Sequence, residues 1–269
     1  MTLRPILHGS LALALMLAST GALADHSELN PNVTEVKPGD TVTISRLPED
    51  IYLRVQNDPD DLIWDRLPMY RTELFAAPPV HRSVQLRFDD GASHGKHLYF
   101  QVARSSERFY IRLHWKDASE NRATTVDDFR DGVAVQYALG DADTSYMMGS
   151  GPDAPVNIWY WRADHEQRIE NLAAGGYGST TRLPEQNVSG ASDYIQEAIP
   201  QDSEWHVVMS RPLAAGGEHQ VTFDRDRVPM AFALWEGSDS ERDGDKRVTH
   251  TWILLDTAAG DAAGGDTES

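Results

Sequence analysis

Not one of the 269 residues is cysteine. That absence excludes disulfide staples, thiolate zinc sites, iron–sulfur clusters, cysteine nucleophiles and covalent haem attachment through C-x-x-C-H. Any redox group carried by this chain must be held by other donors and by packing. Long apolar runs are also missing: after Ala24 nothing approaches the ~18 consecutive apolar residues of a membrane helix, so a soluble chain is expected. There is no G-x-S-x-G elbow and no H-E-x-x-H pair, which leaves hydrolase and zincin chemistry without a motif. Long helical periodicity is scarce and no internal repeat is visible. Basic residues are outnumbered, with 24 Lys and Arg against 42 Asp and Glu for a net charge of −18. Such acidity argues against nucleic acid or an anionic membrane as a partner and suits encounter with a basic protein.

What is present begins with an export signal. Arg4, the apolar run Leu11–Leu17 and Ala22-Leu23-Ala24 before Asp25 are the three parts of a secretory signal peptide, residues 1–24, with cleavage expected after Ala24 and a periplasmic destination. Losing Arg4 and no acidic residue would take the net charge from −18 to −19. Residues 25–256 are long enough for one substantial core. Residues 257–269 (TAAGDAAGGDTES) are expected to be a disordered acidic tail.

Period-two alternation recurs along the chain. Phe109, Ile111, Leu113 and Trp115 alternate with a wetter set, and Leu98, Phe100 and Val102 repeat the pattern. Further strands are expected at 41–45, 51–55, 83–88, 132–137, 157–161, 206–210, 220–223, 230–235 and 248–255. Clusters such as Asp89-Asp90-Gly91 and Gly149-Ser150-Gly151-Pro152 supply turn chemistry between them. Roughly eleven short strands with turn signals predict an all-β, mainly antiparallel β-sandwich with few short helices. Asn171–Thr181 (NLAAGGYGSTT) reads as a mobile loop. Trp159, Trp161 and Trp235 read as core.

None of the ten histidines forms an i, i+4 pair. His114, on the wetter face of its strand, is expected to be a surface or hydrogen-bonded residue. His94 and His97 flank Gly95-Lys96 in what reads as a solvated turn. Two segments are more specific. One runs Asp131-Gly-Val-Ala-Val-Gln-Tyr137, Ser145-Tyr-Met-Met-Gly149 and Ala154-Pro-Val-Asn-Ile-Trp-Tyr-Trp161; the other runs Val228-Pro-Met-Ala-Phe-Ala-Leu-Trp235 and Glu241-Arg-Asp-Gly-Asp-Lys246. By residue type alone, Met147 and Met148 would be gap-filling core side chains and Lys246 a solvated surface residue.

These segments resemble the haem-binding gamma subunits of the type II dimethyl sulfoxide reductase family of molybdoenzymes, which includes dimethylsulfide, ethylbenzene, selenate and chlorate enzymes. The resemblance covers most of the chain after the signal and is strongest in 131–161 and 229–246. It implies a β-sandwich with a buried haem pocket that holds one non-covalent haem b. By residue match the axial ligands are the methionine before the glycine, Met148, and the lysine after the E-R-x-G turn, Lys246. Met147 is the one-position alternative to the first and His250 the substitute for the second. The implied partners are a molybdenum-containing catalytic subunit and an iron–sulfur subunit in a heterotrimer, with a soluble c-type cytochrome as electron partner. The chain itself would be non-catalytic. A neutral thioether tends to raise haem potential, and a lysine must lose its proton to bind iron. Iron with both axial positions filled has no open site for substrate, which fits electron transfer. Two other readings are a carbohydrate-binding sandwich with exposed Trp and Tyr, and a free-standing haem sensor or scavenger.

Overall fold

Alternation along the strands sets the architecture. Phe109, Ile111, Leu113 and Trp115 are fully buried on one face of their strand, and Leu98, Phe100 and Val102 face the same core. In the computed structural model, which describes residues 32–47, 56–80, 82–85, 95–123, 125 and 128–257, there are fifteen strands among the described residues. They are β1 (Val33–Glu35), β2 (Thr41–Thr43), β3 (Ser45–Arg46), β4 (Met69–Ala76), β5 (Lys96–Arg104), β6 (Arg108–Lys116), β7 (Gly132–Ala138), β8 (Val156–Arg162), β9 (Ile169–Ala174), β10 (Thr181–Arg182), β11 (Ser189–Ile195), β12 (Glu204–Pro212), β13 (Arg227–Trp235), β14 (Arg247–Val248) and β15 (Ile253–Asp256). The helices are single turns, and none is long and apolar enough to cross a membrane.

Strands β4, β5, β6, β12 and β11 form one antiparallel sheet. Strands β10, β9, β8, β7 and β13 form the other. Short β14 pairs with both β13 and β4 and joins the two. Among the described residues only the marginal pairings β1–β4, β3–β5 and β2–β15 are parallel. Between the sheets lie the aromatic side chains of Phe100, Phe109, Trp115, Tyr137, Trp159, Trp161, Trp205 and Phe232. The expected all-β, mainly antiparallel sandwich is therefore the observed fold, and Trp159 and Trp161 are core residues.

Several local expectations differ. The wetter face of β5 and β6 is not wet, because residues 57–67 lie across it: Arg112 Nε donates to Pro59 O at 2.6 Å and Gln101 Nε2 to Trp64 O at 2.6 Å. Gln220–Phe223 is no strand. Val221 N donates to Asn157 Oδ1 and Val221 O accepts from Arg211, so side chains replace a ladder partner while Val221 and Phe223 fill the core. Segment 171–181 is not one mobile loop, since Asn171–Ala174 are the buried end of β9 and Thr181 starts β10. Segment 248–255 breaks into β14 and β15, and 41–45 breaks at Ile44. Arg82–Gln85 is a helical turn rather than the start of a strand. The expected signal peptide, the strand at 51–55, residues 86–88, His94 and tail residues 258–269 lie outside the described residues.

Candidate functional site

The inner faces of β7, β8 and β13 build the core, so their outer faces carry the alternate residues. On β7 and β13 these are small. Ala134 lies directly opposite Ala233, and Ala231 opposite Gln136. Ile158 and Tyr160 on β8 and Leu172 on β9 extend the same surface. Three alanines where other strands place larger groups leave a recess with an apolar floor, and a cavity of about 800 Å³ lies over it. That volume is within the roughly 300–1,000 Å³ range of small-molecule and cofactor pockets. The cavity is thus on the outer face of the second sheet and not between the sheets.

Loops form the walls, and each is tied down. On one side is the turn after β7. Gln136 Nε2 donates to Tyr146 O at 2.9 Å, Trp252 Nε1 to Thr144 O at 2.7 Å, and Gly149 N to Ser145 O at 2.9 Å. Met148 adopts a left-handed backbone (φ 68°) and Gly149 follows at φ 92°. A Cβ on Gly149 would sit 2.9 Å from Ala154 O and 3.0 Å from Ala174 O, so only glycine fits here. Both Met147 and Met148 line the cavity, and Met148 also packs on the apolar floor with Tyr160, Ala233 and Trp235.

The opposite wall is the turn between β13 and β14. Trp235 Nε1 donates to Asp243 O at 3.1 Å, Asp245 N to Arg242 O at 2.9 Å, and Ala77 N to Lys246 O at 2.8 Å. These bonds place Lys246 in the cavity wall with its Nζ 4.8 Å from the centroid of the Trp235 ring. Among the described residues no carboxylate is within ion-pair distance of that amine. Burial lowers its pKa to about 8, against a smaller opposing pull from Asp243. About a tenth of such amines are neutral at pH 7, against fewer than one in a thousand for a free lysine. Glu241, on the same wall, is pushed up to about 7 by burial, with Arg247 opposing.

The two residues singled out in the sequence, Met148 and Lys246, therefore line one cavity. His250 does not: it is exposed, with Nε2 3.2 Å from Ala76 O. His97 lies on β5 opposite Glu73. Trp235 is not core as expected but a cavity wall. The alanine floor was not read from the sequence, although the small residues alternating in A-F-A-L-W on β13 carried the signal.

A thioether, a readily deprotonated amine and an apolar floor make a donor set suited to a flat, largely apolar metallocofactor; Arg130, ion-paired to Asp164, and Arg242, over the Phe129 ring, are also lining residues. A non-covalent haem fits that description.

No protein-family model matches the chain. Over 245 residues it is 51% identical to the dimethylsulfide dehydrogenase subunit gamma of Rhodovulum sulfidophilum, covering 90% of this chain and 92% of the relative. It is 35% identical over 200 residues to the chlorate reductase subunit gamma of Ideonella dechloratans, covering 73% and 78%. A Haloferax mediterranei protein that bears the name of a respiratory nitrate reductase haem subunit is 41% identical over 155 residues, 56% of this chain and 53% of the relative.

Proposed function

Because the chain belongs to the haem-binding gamma subunits of the type II dimethyl sulfoxide reductase family of molybdoenzymes, we propose that it is the periplasmic electron-transfer subunit of a dimethylsulfide dehydrogenase-type heterotrimer. In this reading it holds one haem b between Met148 and Lys246 and exchanges electrons between the iron–sulfur subunit and a soluble c-type cytochrome. The observation that carries the proposal is that Met148 and Lys246, distant in sequence, line one cavity over the alanine floor.

When bound, the cofactor would supply a one-electron couple, and Met148 and Lys246 are the residues that would hold it. This chain's residues do the rest. Met148 offers a neutral, soft sulfur. Lys246 gives up its proton more readily than a solvated lysine because its amine is buried, and Trp235 fixes the turn that carries it. Ala134, Ala231 and Ala233 leave room for a planar group over an apolar floor. With no cysteine in the chain, iron–sulfur clusters belong to partner chains.

The test is spectroscopic. Purified protein should be red and low-spin, with haem extractable into acid–acetone as expected for non-covalent haem b. Met148→Ala and Lys246→Ala should each alter the spectrum strongly, and Met147→Ala much less. An unchanged spectrum in Lys246→Ala rejects that ligand, and a larger effect of Met147→Ala moves the sulfur ligand by one position. Protein that stays colourless when offered haem ends the proposal and returns the carbohydrate-binding reading.

A further inference from the structure

The second cluster of chemically capable side chains lies on the outer face of the first sheet, on the far side of the core from the cavity. His114 on β6 and His206 on β12 are directly opposite in the ladder, and Glu204, two residues from His206, projects from the same face. One ligand atom from each of the three lies within 4.8 Å of the other two. His206 Nε2 is 2.8 Å from Glu204 Oε1, and His114 Nδ1 is 3.7 Å from Glu204 Oε2. Ligand atoms around a tetrahedral zinc are about 3.3 Å apart for metal–nitrogen bonds of about 2.05 Å. The two separations from Glu204 bracket that spacing. The two imidazoles meet edge to face, with centroids 5.4 Å apart and planes at 81°.

We propose that His114, Glu204 and His206 bind a divalent metal of the zinc class.

Three observations carry this assignment. First, His206 Nδ1 is approached by Asp60 Oδ1 at 2.5 Å and, farther off, by the Arg112 guanidinium at 3.1 Å; the nearer carboxylate favours the tautomer with the proton on Nδ1 and the lone pair on Nε2. That lone pair then faces a Glu204 oxygen at 2.8 Å, acceptor against acceptor, an arrangement that a cation between them resolves. A carboxylate behind a ligating histidine is the usual outer support of a zinc site. Second, His114 Nδ1 is buried without a hydrogen-bond partner. Its ring is held in place by Tyr99 stacked 4.7 Å away and by Met69 Sδ 3.4 Å from Nε2. Third, two histidines and one carboxylate form a three-donor set with a fourth position for water or another donor.

Two cations stand nearby. Arg112 is 3.1 Å from His206 Nδ1 and 3.7 Å from Asp60, and it is anchored by Pro59 O and Gln101 Oε1. Its presence disfavours the rival arrangement in which a doubly protonated His206 donates to both Asp60 and Glu204. Lys116 Nζ is 3.1 Å from Glu204 Oε2, but its side chain is 41% exposed and can swing into solvent. Because Asp60 belongs to the segment 57–67 that covers this face, metal binding would fasten that segment to the sheet.

The experiment uses the full haem-loaded chain, stripped with a chelator and titrated with Zn²⁺ by calorimetry and elemental analysis. One zinc per chain is expected, with two imidazole nitrogens and oxygen in its X-ray absorption spectrum. His114→Gln and His206→Gln should each weaken binding by tenfold or more, and Asp60→Asn by about 10- to 100-fold, all with the haem spectrum unchanged. Lys116→Gln keeps all three ligands and removes the ammonium 3.1 Å from Glu204 Oε2, so it should tighten binding several-fold. The proposal is overturned by no stoichiometric zinc in the wild type, by binding that survives in the His114→Gln/His206→Gln double variant, or by Lys116→Gln failing to tighten it.

Discussion

Trp235 shows how much one side chain can decide. It ends β13 on the outer face, lies beneath the Lys246 amine, and donates its indole N–H to the turn that carries that lysine. Trp235→Phe keeps an aromatic ring but loses the bond to Asp243 O, worth about 0.5–1.5 kcal/mol, and weakens the cation–π contact. Haem transfer to an acceptor protein should then be about three- to tenfold faster; an unchanged rate would mean that the turn is ordered by other contacts. Asp131 is a different case, buried beneath Trp205 with its carboxylate accepting from Gly237 N, Asn121 N and Trp205 Nε1. Burial, then the neighbouring Asp117, pushes it up to about 7. Between the unfolded value near 4 and that folded value the native state holds a proton the unfolded chain has released. Stability contributed by Asp131 therefore falls as pH rises through this window and levels off above about 7. His114, pushed down by burial, acts in the opposite sense below its ordinary value, so the comparison must isolate Asp131. Denaturant unfolding should show wild type losing about 1 kcal/mol relative to Asp131→Asn from pH 6 to pH 7.5. A constant difference would show that Asp131 is ionised throughout.

At the scale of elements, the turn of Ser145–Gly149 shows why local geometry and function are inseparable here. Met148 is held in a left-handed conformation because Gly149 lets the chain pass between the carbonyls of Ala154 and Ala174, and Gly176 N donates to Met148 O at 2.7 Å. Gly149→Ala would force a Cβ into both carbonyls at φ 92°, destabilising by about 1–3 kcal/mol and shifting the Met148 side chain. Lower Tm together with loss of the low-spin haem signal is expected; retention of both would show that the turn relaxes freely. The glycine was visible in the sequence, but the carbonyls that demand it come from the loop before β8 and from the end of β9. The same division runs through the fold. β6 and β13 were legible because a regular alternation puts Phe109, Ile111, Leu113 and Trp115, and Val228, Met230, Phe232 and Leu234, on the core face. β4 was missed because Met69–Ala76 mixes charged and apolar residues, with only Thr72 and Leu74 buried. The false strand at 220–223 had the right apolar residues, but its backbone partners are side chains of Asn157 and Arg211, which no periodicity reveals. The pairing of Met148 with Lys246 was readable only through resemblance, and that of His114 with His206 only through register.

On the scale of the whole molecule, the cavity and the core are separate constructions that share β7, β8 and β13. Inward residues make an aromatic core that owes nothing to a cofactor, and outward residues make the recess, so filling or emptying it leaves the sandwich intact. A cofactor held at an outer face by loops lies near the surface, where partners approach. The field of a chain with a net charge of −18 would steer a basic carrier toward it and repel an acidic one. Steering is screened over about 8 Å at physiological ionic strength, so it acts on the encounter rate and not on the chemistry of the bound pair. Stopped-flow electron exchange between the assembled complex and a basic c-type cytochrome should therefore slow by about tenfold or more from low to high salt, while the first-order rate within the preformed pair stays constant. A rate that rises with salt would mean that the carrier is acidic or that a basic partner subunit, rather than this chain, presents the docking surface.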